Sequence, residues 1–79
     1  MYYKRIRELR EDNDELQKDI AKLLNTTQQH YSKIENGGTE ITADRIIKLA
    51  RHYKVSADYI LELSDEKRPA NGKQRYPRG

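Results

Sequence analysis

Polar side chains with hydrogen-bonding ends dominate one short segment, Gln28-Gln29-His30-Tyr31-Ser32-Lys33-Ile34-Glu35-Asn36. Its only large apolar residues, Tyr31 and Ile34, are spaced three apart, as on one face of a helix. A glutamine amide can pair with N6 and N7 of adenine, and a lysine can donate to O6 or N7 of guanine. The polar face of this segment therefore has the chemistry needed to contact base edges in the major groove of duplex DNA.

We predict base contacts from Gln28 and Gln29, which lie at the start of the segment, and from Lys33 and His30 further along it. We assign Ser32 to a structural role or to phosphate contact. The alternative for all of these side chains is a solvated helix face, the more common environment of exposed polar residues.

Apolar periodicity predicts the helices that position this segment. Tyr2, Ile6 and Leu9 share one face of a first helix that ends near residues 12–14. A second helix has its apolar stripe at Leu16, Ile20, Leu23 and Leu24. Asn25 follows this stripe, and asparagine tolerates the left-handed conformation that often ends a helix.

Hydroxyl residues mark the starts of three more helices. Thr27 begins a third helix over about residues 28–36, which Gly37 and Gly38 end; Thr42 begins the fourth and Ser56 the fifth. The apolar residues of the last two helices are Ile46, Ile47, Leu49, Ala50 and Tyr53, then Tyr59, Ile60, Leu61 and Leu63.

The second helix lacks a hydroxyl residue before its start, where Glu15 and Leu16 stand. Asp14 and Gln17 are spaced as a capping box, which predicts a cap one turn earlier and places Leu16 on the buried side.

Five helices without strand-like alternation or an internal repeat predict an all-α domain. The second and third helices are joined by little more than residues 25–27, so they must cross steeply, as in a helix-turn-helix. In that motif the second helix enters the major groove while the first crosses the backbone. Gln17, which opens the first of the two helices, is therefore expected to face phosphate, and we also assign Thr27 to phosphate contact.

Length and composition limit the other possibilities. The chain has 79 residues and no cysteine, so a single modest core must form without disulfides or thiolate metal sites. We expect one domain over residues 1–64 and a disordered tail over residues 65–79. The first part carries eleven Lys and Arg and eleven Asp and Glu, whereas the tail carries five and two and holds the whole net charge of +3. We expect a cytoplasmic protein, since no segment resembles a membrane span or signal peptide.

Neither a metal nor a cofactor is predicted. The acidic residues Asp12, Asp14, Glu15 and Asp19 lack the glycine-punctuated loop of a calcium site and are expected to serve as caps and solvated charges. His30 and His52 are too few for a metal site, and we expect no small-molecule ligand and no enzymatic activity.

The chain resembles the lambda-repressor and Cro-like family of helix-turn-helix transcriptional regulators over about residues 4–63. The resemblance rests on Gln17-Lys18-Asp19-Ile20-Ala21, Asn25-Thr26-Thr27, Tyr31-Ser32-Lys33-Ile34-Glu35-Asn36-Gly37, Leu49-Ala50 and Val55-Ser56-Ala57-Asp58-Tyr59-Ile60-Leu61. Within this family the start of the third helix is most similar to that of the phage 434 repressor. The resemblance implies a compact five-helix fold.

The same resemblance implies roles for particular residues. Gln17 and the backbone of Asn36 would hold phosphates, and Ala21 would let the two helices of the motif approach closely. Arg10 and Glu35 match an internal ion pair of the family.

The resemblance also implies a small regulator, a repressor in our interpretation, that binds a two-fold symmetric operator as a homodimer. One alternative is a protein-interaction module, such as an antitoxin or accessory subunit, built on the same fold. Another is a non-specific nucleic-acid binder that depends on the basic residues of the tail, Lys67, Arg68, Lys73, Arg75 and Arg78.

Overall fold

All regular structure in the computed structural model, which describes residues 2–67, is helical. The helices are α1 (Lys4–Asp12), α2 (Gln17–Leu23), α3 (Gln28–Glu35), α4 (Ala43–Tyr53) and α5 (Ala57–Ile60). This arrangement confirms the predicted all-α class with a helix-turn-helix at α2 and α3. Residues 68–79, most of the tail that we predicted to be disordered, lie outside the described residues.

The chain divides into two units between Ile41 and Thr42. In the first unit, α3 contacts both α1 and α2. The buried apolar side chains of this unit are Ile6, Leu9, Ile20, Ala21, Leu24, Tyr31 and Ile34. Each large aliphatic or aromatic side chain among them stabilises the fold by about 1.5–3 kcal/mol.

In the described range, every helix is followed by a residue in the left-handed conformation. These residues are Asp14 (φ 54°), Asn25 (φ 56°), Gly37 (φ 80°), Lys54 (φ 55°) and Glu62 (φ 61°). After α2, the N–H of Asn25 donates to the carbonyl of Lys22 at 3.1 Å and that of Thr26 to Ala21 at 2.9 Å. This paired pattern is a Schellman motif, which gives partners to the last carbonyls of a helix. It confirms the predicted role of Asn25. Only four residues, 24–27, separate α2 from α3.

Three predicted N-caps are confirmed. The hydroxyl of Thr27 accepts from the backbone N–H of His30 at 3.1 Å, and that of Thr42 accepts from Arg45 at 3.4 Å. Ser56 accepts in the same way from the N–H of Tyr59 at 3.0 Å.

The second helix opens at Gln17 as predicted, but its predicted cap is wrong. Asp14 adopts the left-handed conformation that ends α1, and the N-cap of α2 is Leu16, two residues later. Leucine has no acceptor, so the cap comes from inside the helix, where the Asp19 carboxylate accepts from the Leu16 N–H at 3.1 Å. The Leu16 side chain is 56% exposed rather than buried, because an N-cap residue has extended backbone and lies outside the helical stripe.

Two apolar residues assigned to helix faces lie beyond the caps of their helices and are exposed. Tyr2 precedes α1 and is 52% exposed, because the helix begins only at Lys4. Leu63 follows the single turn of α5 and is 74% exposed, because the left-handed Glu62 ends that turn.

In the second unit, α4 and α5 contact each other, and Leu49, Ala50, Val55 and Ile60 are buried. The start of the predicted tail lies against α5, where the Ser56 N–H donates to the Lys67 carbonyl at 2.8 Å. No helix in the described range is long and apolar enough to cross a membrane.

Candidate nucleic-acid interface

The third helix divides into a buried and an exposed face. Tyr31, Ile34 and Glu35 are at most 1% exposed, whereas Gln28, Gln29 and Lys33 point into solvent. The buried residues follow the helical spacing of three and four, so the exposed ones are held on the opposite side. Burial of the apolar stripe therefore fixes which polar side chains α3 presents.

An open depression, here called the α3 groove, lies between the start of α2 and the exposed face of α3. It is lined by Gln17, Gln28, Gln29, Ser32 and Lys33. The structure thus brings together five side chains that the sequence predicts to contact bases or phosphates. All five carry hydrogen-bond donors, and lysine adds a positive charge.

A second depression, here called the turn groove, surrounds the connection between α2 and α3. Its lining residues are Lys18, Ala21, Lys22, Asn25, Thr26, Thr27 and Gln28. Gln28 lines both grooves, so they adjoin at the first residue of α3. The described residues that line the two grooves include three lysines and no acid.

Three predicted contact residues lie outside the α3 groove. Thr27 lines the turn groove instead, and its hydroxyl oxygen already accepts from the His30 N–H. The His30 side chain is half-buried, and Asn36 is exposed at the end of α3. The Asn36 backbone N–H donates to the Ser32 carbonyl at 3.0 Å, so any phosphate contact by Asn36 must come from its side-chain amide.

A buried ion pair lies at the carboxyl-terminal end of α3. Arg10 donates from Nε to Glu35 Oε2 and from Nη2 to Glu35 Oε1, both at 2.9 Å. Its Nη1 donates to the Glu15 carbonyl at 2.9 Å, and Gln17 Nε2 donates to Glu35 Oε1 at 3.2 Å. One carboxylate therefore links α1, the start of α2 and the end of α3.

The surroundings of Glu35 keep it ionised. Burial alone would raise the pKa of this carboxyl, but hydrogen bonds from Arg10, Tyr31 and Gln17 outweigh that effect and lower the pKa. The hydrogen bond to Glu35 also raises the pKa of Arg10, against the desolvation that lowers it. Both partners thus remain charged at neutral pH, as a bidentate pair requires.

Residues 6–60 match a family model described as helix-turn-helix, which covers more than half of the chain. This chain belongs to the helix-turn-helix family. A protein of Bacillus subtilis (strain 168), named as an uncharacterized HTH-type transcriptional regulator, YobD, is 33% identical over 69 residues. The match covers 87% of this chain but only 62% of that relative, so the chain spans less than two thirds of the relative's length. No solved structure matches significantly.

Sequence reasoning missed two features of this helix-turn-helix chain. The first is the hydrogen bond between Gln17 and Glu35, which lie eighteen positions apart in different helices, so no local pattern indicates it. The second is the turn groove, although the spacing of Lys18 and Lys22 already placed both lysines on one face of α2.

Proposed function

We propose that this chain binds double-stranded DNA sequence-specifically, inserts α3 into the major groove and acts as a transcriptional repressor. One observation carries the proposal: α3 presents Gln28, Gln29 and Lys33 to solvent beside Gln17, in one open depression. Membership of the helix-turn-helix family supports DNA as the ligand. The name of the Bacillus subtilis relative supports regulation of transcription as the role.

The proposed contacts divide by position. Base contacts come from Gln28, Gln29, Lys33 and His30, and phosphate contacts come from Gln17, Thr27, Ser32 and Asn36. The amino-terminal residues of the second helix of such a motif contact base edges, which favours the two glutamines as the main source of specificity.

We further propose that residues 1–64 form the DNA-binding domain and that two copies bind a two-fold symmetric operator. Dimers with this motif contact half-sites about 34–36 Å apart, one turn of the duplex. Leu63 is 74% exposed after α5 and is the apolar side chain we place at the contact between copies. A dimer that covers an operator excludes other proteins from it, which is the basis of the proposed repression.

The test compares the wild type with Gln28→Ala and Gln29→Ala on a duplex selected from a random pool by this chain and on a scrambled duplex. Each change removes a bidentate partner of a base, so affinity for the selected duplex should fall by about 1–3 kcal/mol. No charge is lost, so the slope of log K against log salt concentration should remain unchanged. Fluorescence anisotropy at several salt concentrations measures both quantities.

Lys33→Gln is the contrasting variant, because it removes a charge from the same face of α3. A phosphate contact predicts a slope lower by about 0.9, whereas a base contact also relaxes the preference at one position of the selected duplex. If both glutamine variants keep full discrimination, α3 is not the recognition helix. The protein-interaction alternative then becomes the better account.

A further inference from the structure

We infer that Lys18 and Lys22 in the turn groove form a second DNA contact, which binds phosphates of the strand that borders the bases recognised by α3. This inference rests on the proposed function and extends it to residues that the recognition of bases does not require.

The two lysines are unneutralised cations on one helix face. Both are exposed, and their spacing of four places them one above the other on α2. Neither makes an ion pair or side-chain hydrogen bond with any residue in the range 2–67. Arg7 on α1 differs, since it pairs with Glu11 at 3.3 Å.

The acid on α2 has another partner. Asp19 follows Lys18 directly, but its carboxylate accepts from the Leu16 N–H at the start of the helix. That position is favourable for an anion, because the amino-terminal end of a helix carries partial positive charge. The charges of Lys18 and Lys22 are therefore available to a ligand.

The rest of the turn groove suits a polyanion. Asn25, Thr26 and Thr27 contribute amide and hydroxyl groups, which can donate to phosphate oxygens. Ala21 is buried and small at the same surface, so it does not project between the lysines and a ligand. Residues 1–64 carry equal numbers of acidic and basic side chains, so a surface with lysines and no acid is a local concentration of positive charge.

The spacing of the lysines matches a DNA strand. Four residues of α-helix rise about 6 Å. Phosphates repeat along one strand at spacings of the same order, so the two side chains can reach neighbouring phosphates of one strand. Because Gln28 lines both grooves, DNA whose bases meet the α3 groove brings its backbone next to the turn groove.

The test is a salt titration of the full chain with the double variant Lys18→Gln and Lys22→Gln on the selected and the scrambled duplex. Loss of two phosphate contacts should lower the salt slope by about 1.8 on both duplexes. The ratio of the wild-type affinity to the variant affinity should therefore fall by about 12-fold between 50 and 200 mM salt, because a slope difference of about 1.8 acts over a fourfold change in salt concentration. Discrimination between the duplexes should be unchanged.

Two control variants make the result specific. Lys48→Gln removes an exposed charge from α4, outside both grooves, and measures the effect of net charge alone. Lys18→Arg with Lys22→Arg keeps both charges and should keep the wild-type slope. Circular dichroism of each variant verifies that the helices are retained.

A scan with methylphosphonates locates the contact. Each probe replaces one phosphate of the duplex by an uncharged group, and two nearby positions on one strand should weaken the wild type but not the Lys18→Gln, Lys22→Gln variant. If no position behaves in this way, or if the slope changes no more than in Lys48→Gln, the inference is overturned. It is also overturned if the lysine changes abolish binding to polyglutamate while the DNA slope stays the same, which would assign the surface to an acidic protein.

This outcome is separable from the proposed function. If Gln28→Ala and Gln29→Ala reduce discrimination while the lysine variant keeps its slope, only the second contact is wrong. If the lysine variant has a smaller salt slope than the wild type while neither glutamine change affects discrimination, the chain binds DNA through the turn groove and α3 does not recognise bases.

Discussion

Replacing Glu35 with Ala removes a carboxylate that is 1% exposed and that accepts two hydrogen bonds from Arg10 at 2.9 Å. Removing one partner of a buried ion pair costs about 3–5 kcal/mol, because the other charge is left uncompensated. The side chain of Arg10 is 12% exposed and keeps its bond to the Glu15 carbonyl, so we expect the lower end, about 3 kcal/mol. A chain of this length has a total free energy of unfolding of roughly 4–12 kcal/mol, so the variant should fold but be much less stable.

Urea unfolding at pH 7 measures this loss, with a double-mutant cycle as the control. Replacing the whole pair, Arg10→Met with Glu35→Leu, should cost about 1–3 kcal/mol, because an apolar pair can replace the ion pair but the buried Tyr31 hydroxyl loses its acceptor. The costs of the single changes Arg10→Met and Glu35→Leu should therefore sum to more than the cost of the double change. A cost below about 0.5 kcal/mol for Glu35→Ala would mean that the pair behaves like an exposed one, and the argument from burial would be refuted.

The pH dependence follows from the lowered pKa of Glu35. The unfolded carboxyl titrates near pH 4.3, so it binds protons at a higher pH than the folded one does. The stabilisation is therefore fully present above about pH 4.3 and is lost as the pH falls through the lower folded pKa. The stability difference between wild type and Glu35→Gln, which does not titrate, should shrink over this acidic range. A difference that stays constant down to pH 2 would contradict the role of the charge.

Three further changes test the helix ends by thermal unfolding. Lys54→Gly should stabilise the chain by about 0.5–1 kcal/mol, because Lys54 has a φ of 55° that glycine adopts without strain; a lower midpoint would contradict this. Gly37→Ala should destabilise by about 1–2 kcal/mol, because φ is +80° and the new Cβ would lie 3.0 Å from the Cβ of Tyr2. Gly38→Ala, whose Cβ meets its nearest atom only at 3.5 Å, should cost less, and equal costs would disprove the steric reason. Ser56→Ala should cost about 1 kcal/mol through loss of its N-cap bond, whereas Ser56→Thr should retain most of it.

The helix ends were predicted correctly from the sequence where the capping interaction joins residues that are close together in the chain. The caps of Thr27, Thr42 and Ser56 follow from a hydroxyl three residues before its donor, and the left-handed Asn25 follows from its own side chain. The cap of α2 was mispredicted because several acidic and polar residues precede and open this helix. Asp14 had the spacing of a cap but adopts the left-handed conformation that ends α1, and Asp19 inside the helix accepts from the Leu16 N–H instead.

The candidate site was predictable in its composition but not in its geometry. The spacing of Tyr31 and Ile34 fixed which side chains of α3 face outward, so Gln28 and Gln29 could be singled out from the sequence. The bond from Gln17 to Glu35 depends on how α2 crosses α3, which is set by packing across eighteen positions of sequence. Whether the Asn36 backbone can donate to a phosphate also depends on the structure, since its N–H already donates to the Ser32 carbonyl at the end of α3.

The turn at Asn25 and the hydrogen bond between Gln17 and Glu35 together fix the orientation of α2 relative to α3. At one end of α3, the Schellman turn at Asn25 gives partners to the carbonyls of Lys22 and Ala21, which allows the chain to enter α3 within a few residues. At the other end, Glu35 holds Gln17 through a hydrogen bond. A helix fixed at both ends has little freedom to rotate about its own axis, so the position of its exposed face is set. In the proposed function the Gln28 and Gln29 amides gain most from this, because a base-specific contact requires a rigid scaffold more than a phosphate contact does.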